Sequence, residues 1–468
     1  MDAVGPLTKS ADEWKNRPAG IPNGVPPPSV PLSFLVAAVL GLIGCGVAIL
    51  IARSNAVVDP TQDRVVGVAH FAMLATLSMG VLGAIHQFAP VITQRPFRSV
   101  RLSRITFFAW FIGSWLLPIG FMAQLEGVVE AGGMFAALAV TLFVINITPS
   151  LAVQGKGAPV TGLRFAVIGF VVTACYGVVY VIDRRGNWFD LSGHVVLAHA
   201  SVGLLAWLGL TYFSVSEKLW PMFMLAHVPG RHRSAWLGIW SLFIGVLLLS
   251  PGLLFAIPWL AIVGALTVSV GFGAHIYSLI TYIRHRRRAA DLHLVFIVSS
   301  TVWLVAGVGF ASSGTIVMRH HHHLGVALVA ATISALAGWL LVAMVGHAYK
   351  IVPFIVWSSL RGRGISRKVD GSPLMFADLF NHRLSAVGCA SINGGVLAIC
   401  LGFAASASWS IGVGGGLLVG TGLITAMNLS WRPIRLFYRP SALRDATDNP
   451  ASITLAAQLR TKGPTNER

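Results

Sequence analysis

His70–Ile92 reads HFAMLATLSMGVLGAIHQFAPVI. The stretch contains no Asp, Glu, Lys or Arg, and its two histidines, His70 and His86, stand near its two ends. Crossing the hydrocarbon core of a bilayer takes about 20 apolar residues. The stretch therefore predicts a membrane-spanning helix with one imidazole toward each interface and a proline, Pro90, close to its end.

Two other segments share this design. One is His199–Phe223, HASVGLLAWLGLTYFSVSEKLWPMF, and the other is Ser334–Val356, SALAGWLLVAMVGHAYKIVPFIV. Aligned on Pro90, Pro221 and Pro353, Trp207 and Trp339 both fall fourteen residues before the proline, and Lys218 and Lys350 both fall three before; Gln87 takes that place in the first copy. A proline there ends or kinks a helix at the interface, and the lysines reach toward the surface with their stems in the apolar layer.

The whole chain fits the reading. Of its 468 residues 55% are hydrophobic and only 11% charged, where a soluble protein carries about 25% charged. Twelve apolar stretches are long enough to span, near 31–53, 66–92, 105–124, 132–152, 162–182, 194–223, 235–255, 259–283, 292–313, 324–356, 384–405 and 409–430. The related segments are the second, sixth and tenth, four helices apart. The expected fold is an all-α polytopic membrane protein of 12 transmembrane helices in three pseudo-repeated four-helix units. Helices 2, 6 and 10 then take equivalent places around a pseudo-threefold axis. Residues 1–30 form a polar, Pro-rich tail, residues 31–430 the membrane domain, and residues 431–468 a basic tail.

The net charge of +18 is spread in short runs between apolar stretches, which argues for topology rather than nucleic-acid binding. Only Arg53, Arg64, Arg184, Arg185 and Arg319 of the 34 Lys and Arg fall in the loops after odd-numbered helices. The other 29 lie in the two tails and in or beside the loops after even-numbered helices. The positive-inside rule then places both termini in the cytoplasm, as in a multi-pass protein of a bacterial-type inner membrane. The four cysteines, Cys45, Cys175, Cys389 and Cys400, lie in apolar segments with no C-x-x-C pair. That pattern offers neither a disulfide framework nor a covalent haem-attachment motif.

Ionisable residues inside membrane spans mark function by default, and the histidines sort by depth. His70 lies near the outer end of helix 2, His194 and His199 open helix 6, and His320, His321, His322 and His323 open helix 10. All three repeat-related helices thus carry imidazoles at one level. Neutral imidazole binds haem iron, copper and zinc. His70, His199, His322 and His323 are candidate cofactor ligands, and His194, His199, His320 and His321 candidate metal ligands. His86, His275 and His347 lie deeper, each alone. His227, His232, His285, His293 and His382 fall in or near basic loops, facing water or lipid phosphate.

With twelve helices, internal termini and outer histidines on helices 2 and 10, the chain resembles the catalytic subunit of the haem–copper oxidase superfamily, nearest its nitric oxide reductase branch and NnrS-like relatives. Helix 2 carries most of the likeness, with an outer histidine followed by G-x-x-G-A and a proline (Gly80, Gly83, Ala84, Pro90). The resemblance implies that His70 ligates a b-type haem, with a second axial ligand from the helix 10 run, His322 or His323. It also implies a copper site and a small electron-donor or accessory membrane subunit. The chain departs from the family at helix 7, which has no histidine to complete a copper site, so oxygen or nitric oxide reduction by this chain lacks a full ligand set. The alternative is a twelve-helix transporter without redox cofactor, for which internal repeats are equally typical.

Overall fold

The computed structural model describes residues 26–437, except 156, 190, 229–231 and 369–370. Nearly all of both expected tails lies outside these. Among the described residues twelve helices are long and apolar enough to cross a membrane: α1 Ser29–Val58, α2 Asp63–Thr93, α3 Val100–Ala123, α4 Glu126–Leu151, α5 Gly157–Gly186, α6 Gly193–Met224, α7 His232–Leu254, α8 Pro258–Arg284, α9 Leu292–Val317, α10 His322–Gly362, α11 His382–Ala404 and α12 Ser408–Phe437. The protein is an all-α polytopic membrane protein. Loops after even-numbered helices share the basic face, and the others lie on the opposite face.

The three units are visible in their hairpins. α3–α4, α7–α8 and α11–α12 each turn through one residue in the left-handed region, Gln124, Ala256 and Ser406 (φ 57°, 50° and 51°). In each turn the following N–H bonds the carbonyl five residues back, Leu125 to Gly120, Ile257 to Gly252 and Ala407 to Gly402. This Schellman closure satisfies carbonyls that a helix end leaves orphaned. The hairpin glycines recur at fixed offsets, Gly113, Gly120 and Gly132, then Gly245, Gly252 and Gly264, then Gly395, Gly402 and Gly414. The first two sets lie 132 residues apart and the last two 150. A β-carbon on the middle glycine of each set would fall 2.4–2.6 Å from the partner helix, at Val129, Ala261 or Ile411. Small residues let the paired backbones close to contact.

The repeated even helices meet at the centre. Trp207 of α6 donates its indole N–H to Ser78 Oγ of α2 at 2.9 Å. Gly80 of α2 faces Met344 of α10, and Gly209 of α6 faces Trp339 of α10. Trp207 and Trp339, matched by the proline alignment, are both fully buried. The hairpins pack outside this triad, and α12 packs along α1 to close the ring. Large side chains such as Phe108, Met134 and Leu266 point outward, as a lipid-facing surface requires. Exposed Trp188, Trp259 and Trp409 ring the face opposite the basic one, an interfacial aromatic belt.

A facing pair of imidazoles

His70 closes the first two turns of α2. Its Nδ1 lies 2.8 Å from the Val66 carbonyl. A carbonyl only accepts, so Nδ1 carries the proton and Nε2 keeps its lone pair free. Immediately after His70, α2 widens into π-helical turns over Phe71–Ser78, and α6 does the same over Val202–Gly209, three residues after His199. Both wide segments are met by a glycine from the preceding helix. A β-carbon at Gly41 of α1 would lie 2.0 Å from the Ala75 carbonyl oxygen, and one at Gly169 of α5 2.7 Å from Ala206. Ala75 and Ala206 both stand fifteen residues before their unit's proline, so the first two units share the widening, while α10 runs as an unbroken α-helix over His322–Gly362. π-turns are rare and concentrate at functional sites.

Just before these turns, His70 and His199 come close to each other. The ring centroids are 6.3 Å apart and the planes 23° from parallel. His199 Nδ1 is out of contact with solvent and has no hydrogen-bond partner. Phe121 of α3 stacks on His70 at 5.2 Å. Tyr176 and Tyr180 of α5 present edges to His199 at 6.2 and 5.7 Å. The tyrosine hydroxyls tie α5 to its neighbours: Tyr180 donates to the Val195 carbonyl of α6 at 2.8 Å, and Tyr176 lies 3.1 Å from Ser250 Oγ of α7, which donates to the Ala198 carbonyl of α6 at 3.3 Å. Toward solvent, the Arg184 guanidinium of α5 donates to Asp63 of α2 and Glu126 of α4 and lies 5.2 Å over the Phe121 ring. Arg185 pairs with Glu130. This network ties the ends of three helices above the pair.

The other predicted ligands lie elsewhere. His194 is exposed, its Nδ1 3.0 Å from the Leu253 carbonyl of α7. His320 to His323 are exposed in the turn that opens α10, with His322 and His323 touching each other at 6.0 Å. The ring contacts of His70 are with Phe121 and His199; none joins it to the α10 run. Among the described residues no three His, Cys, Asp or Glu side chains gather as a metal site.

The inner half holds a second set of enclosed imidazoles. His86 and His347 anchor Nδ1 to the carbonyl four residues back, Leu82 at 2.8 Å and Ala343 at 2.7 Å. His86 is boxed by Phe34, Phe97 and Phe143. His275 stacks on Phe213 at 3.8 Å, and Tyr212 stands against both His275 and His347. His86, His275, His293 and His347 all leave Nε2 buried without a partner. His293 is 5% exposed, which corrects its expected place in a solvated loop. Lys350, expected to reach outward, is 8% exposed and bonded to Asp291 at 2.5 Å. Sequence reading passed over Phe121, Tyr176, Tyr180 and the Arg184 network; the only signal for them was carboxylates and arginines crowded at the ends of α2, α4 and α5.

No protein-family description matches the chain, and no characterised protein matches it significantly.

Proposed function

We propose that this protein is a membrane haem protein acting in electron transfer, with His70 and His199 as the residues that would hold one b-type haem. The observation that carries the reading is their spacing. Two imidazoles on one metal ion, each bonded at about 2.0–2.1 Å, place their ring centroids roughly 6 Å apart, and the pair stands at 6.3 Å. His70 offers an unprotonated Nε2, and His199 holds a buried nitrogen with no partner. The donor set fits haem better than a bare metal. A zinc or copper site needs three or four protein ligands, whereas a haem would need only the two imidazoles of His70 and His199 from this chain. Copper, the other cofactor the resemblance implies, would need a ligand from outside the described residues.

When bound, the haem supplies a redox-active iron; the rest belongs to the chain. The Val66 carbonyl fixes the tautomer and direction of His70. Tyr180 and Tyr176 hold the helix that carries His199. Phe121 and the tyrosine rings exclude water and keep the surroundings apolar, a main control on redox potential. With both imidazoles engaged, the haem would supply electron transfer. His70 follows Asp63 by seven residues, about 10 Å of helix at 1.5 Å per residue, within reach of a small electron donor or accessory subunit docked on that face. The charge bias supports a bacterial-type inner membrane with cytoplasmic termini, which puts the pair in the outer leaflet. The central triad of α2, α6 and α10 supports the likeness to the haem–copper oxidase architecture.

The test is the absorption spectrum of purified full-length protein, oxidised and then dithionite-reduced, with iron and copper assayed on the same sample. A sharp reduced α band with one iron per chain is expected. No chromophore after expression with ample haem would overturn the proposal and turn the reading to transport.

A further inference from the structure

The run His320–His323 stands in the turn between α9 and α10, and all four side chains are exposed. The backbone beneath them is pinned at both ends. The Val317 carbonyl accepts the His320 and His321 N–H groups at 2.9 and 2.8 Å, and the His321 carbonyl accepts the Gly325 N–H at 2.9 Å. Gly325 is buried, and a β-carbon there would lie 2.7 Å from Met318 Cα, so the start of α10 closes tightly on the end of α9. Unlike a run at a chain end, these imidazoles are carried on a fixed turn and have little backbone freedom left to lose on binding.

The rings are placed to act together. His322 and His323 hold their centroids 6.0 Å apart, within the span that two imidazoles need to share one ion at bonds of about 2.0–2.1 Å. His321 lines the same open concavity as His322, His323 and Leu324. Turning its ring toward the pair is a rotamer change of the kind exposed side chains make rapidly. Three imidazoles and a water then complete a tetrahedral shell.

The surroundings select the ion. α9 and α10 contain no Asp or Glu, so calcium and magnesium find no carboxylate here. Arg319 and the positive end of α10 repel cations, so binding has to come from coordination bonds, which neutral imidazole forms with borderline transition ions. From this arrangement we infer that the turn is a surface site for a divalent ion of the zinc class, with His321, His322 and His323 as its ligands. Such a site is independent of the His70–His199 pair. Being open to water, it exchanges its ion readily, which suits capture of metal at this face rather than storage of a resident cofactor.

The test uses untagged full-length protein, purified without metal affinity, stripped with a chelator and held in detergent. Zinc is titrated in competition with a chromophoric chelator, and bound metal is counted by mass spectrometry. The variants are the double substitution His322→Ser/His323→Ser and His194→Ser, which removes an exposed imidazole from the start of α6. A synthetic peptide of residues 316–325 offers the same ligands without the turn. The expected result is one zinc per chain, bound about tenfold more weakly by the double variant and by the peptide, equally well by His194→Ser, and released on acidification as protons compete for the rings. Less than one zinc per chain, undiminished binding in the double variant, or an equal loss in His194→Ser would overturn the inference. Equal affinity in the peptide would overturn it too, by showing that the fold contributes nothing to the site. Melting temperatures equal to that of the unaltered protein establish that the variants keep their fold; should the double variant fall short, the peptide and His194→Ser decide.

Discussion

At the scale of single residues, His70 sets its Nδ1 on the Val66 carbonyl and its ring beside that of His199. Helical rise alone sets His70 and His199 at one level, because each lies near the same end of an apolar span. Which histidine faces His70 depends on helix rotation, and the π-turns change that rotation by an amount no periodicity reveals. The run His320–His323 lies exposed in the turn that opens α10. Replacing all four by serine is expected to leave a haem spectrum unaltered; loss of the α band in that variant would return the axial role to α10. Lys350 and Asp291 make a second residue-scale prediction. The lysine side chain is 9% exposed and the aspartate 35%, so the pair sits between a buried and a surface ion pair. Lys350→Met is expected to cost about 1–3 kcal/mol, less than a fully buried pair. Asp291→Asn should be less than additive with it in a double-mutant cycle. Strict additivity in detergent melting experiments would show that the two groups do not interact.

At the scale of elements, the spans were readable from length and hydropathy, and the ends moved by a few residues where caps decide them. Ser99 accepts from the Leu102 N–H at 3.3 Å, and Asn381 from the Arg383 N–H at 2.9 Å, so α3 and α11 begin where a short polar side chain replaces the missing helical partner. The hairpin glycines were legible in principle, since their offsets are constant, but aligning on prolines hides them. The π-turns had no such signal: only the carbonyl approach at Gly41 and Gly169 reveals that the neighbouring segment is widened. Gly41→Ala should therefore destabilise by about 1–3 kcal/mol through overpacking and disturb the His70 site. Gly273→Ala in α8, where a β-carbon meets nothing within 4 Å, serves as the matched control. Equal melting temperatures for the two variants would mean that the α1–α2 approach is not tight.

At the scale of the molecule, three copies of a four-helix unit surround a central triad, and the copies have diverged where chemistry enters. The position four before the proline holds His86 in the first unit, Glu217 in the second and Tyr349 in the third. In the second, Glu217 accepts from the Tyr282 hydroxyl at 2.6 Å; in the third, Tyr349 lies 3.5 Å from Thr425 Oγ1. One scaffold thus offers three different polar groups at equivalent depth. The alternation of basic and weakly charged loops predicts that single cysteines placed at Arg98 and Arg363 label from the cytoplasmic side, and one at His321 from the other. Labelling of all three from one side would break the twelve-span topology.

The central claim is that His70 and His199 share one group. The most direct measurement is the reduced absorption spectrum of His70→Ala and His199→Ala beside the unaltered protein, with haem content determined for each. The account predicts that either substitution alone abolishes or strongly weakens the α band, while His86→Ala and the His320–His323 serine variant keep it. A full-strength α band in His199→Ala, in protein that retains its fold, would contradict the pairing.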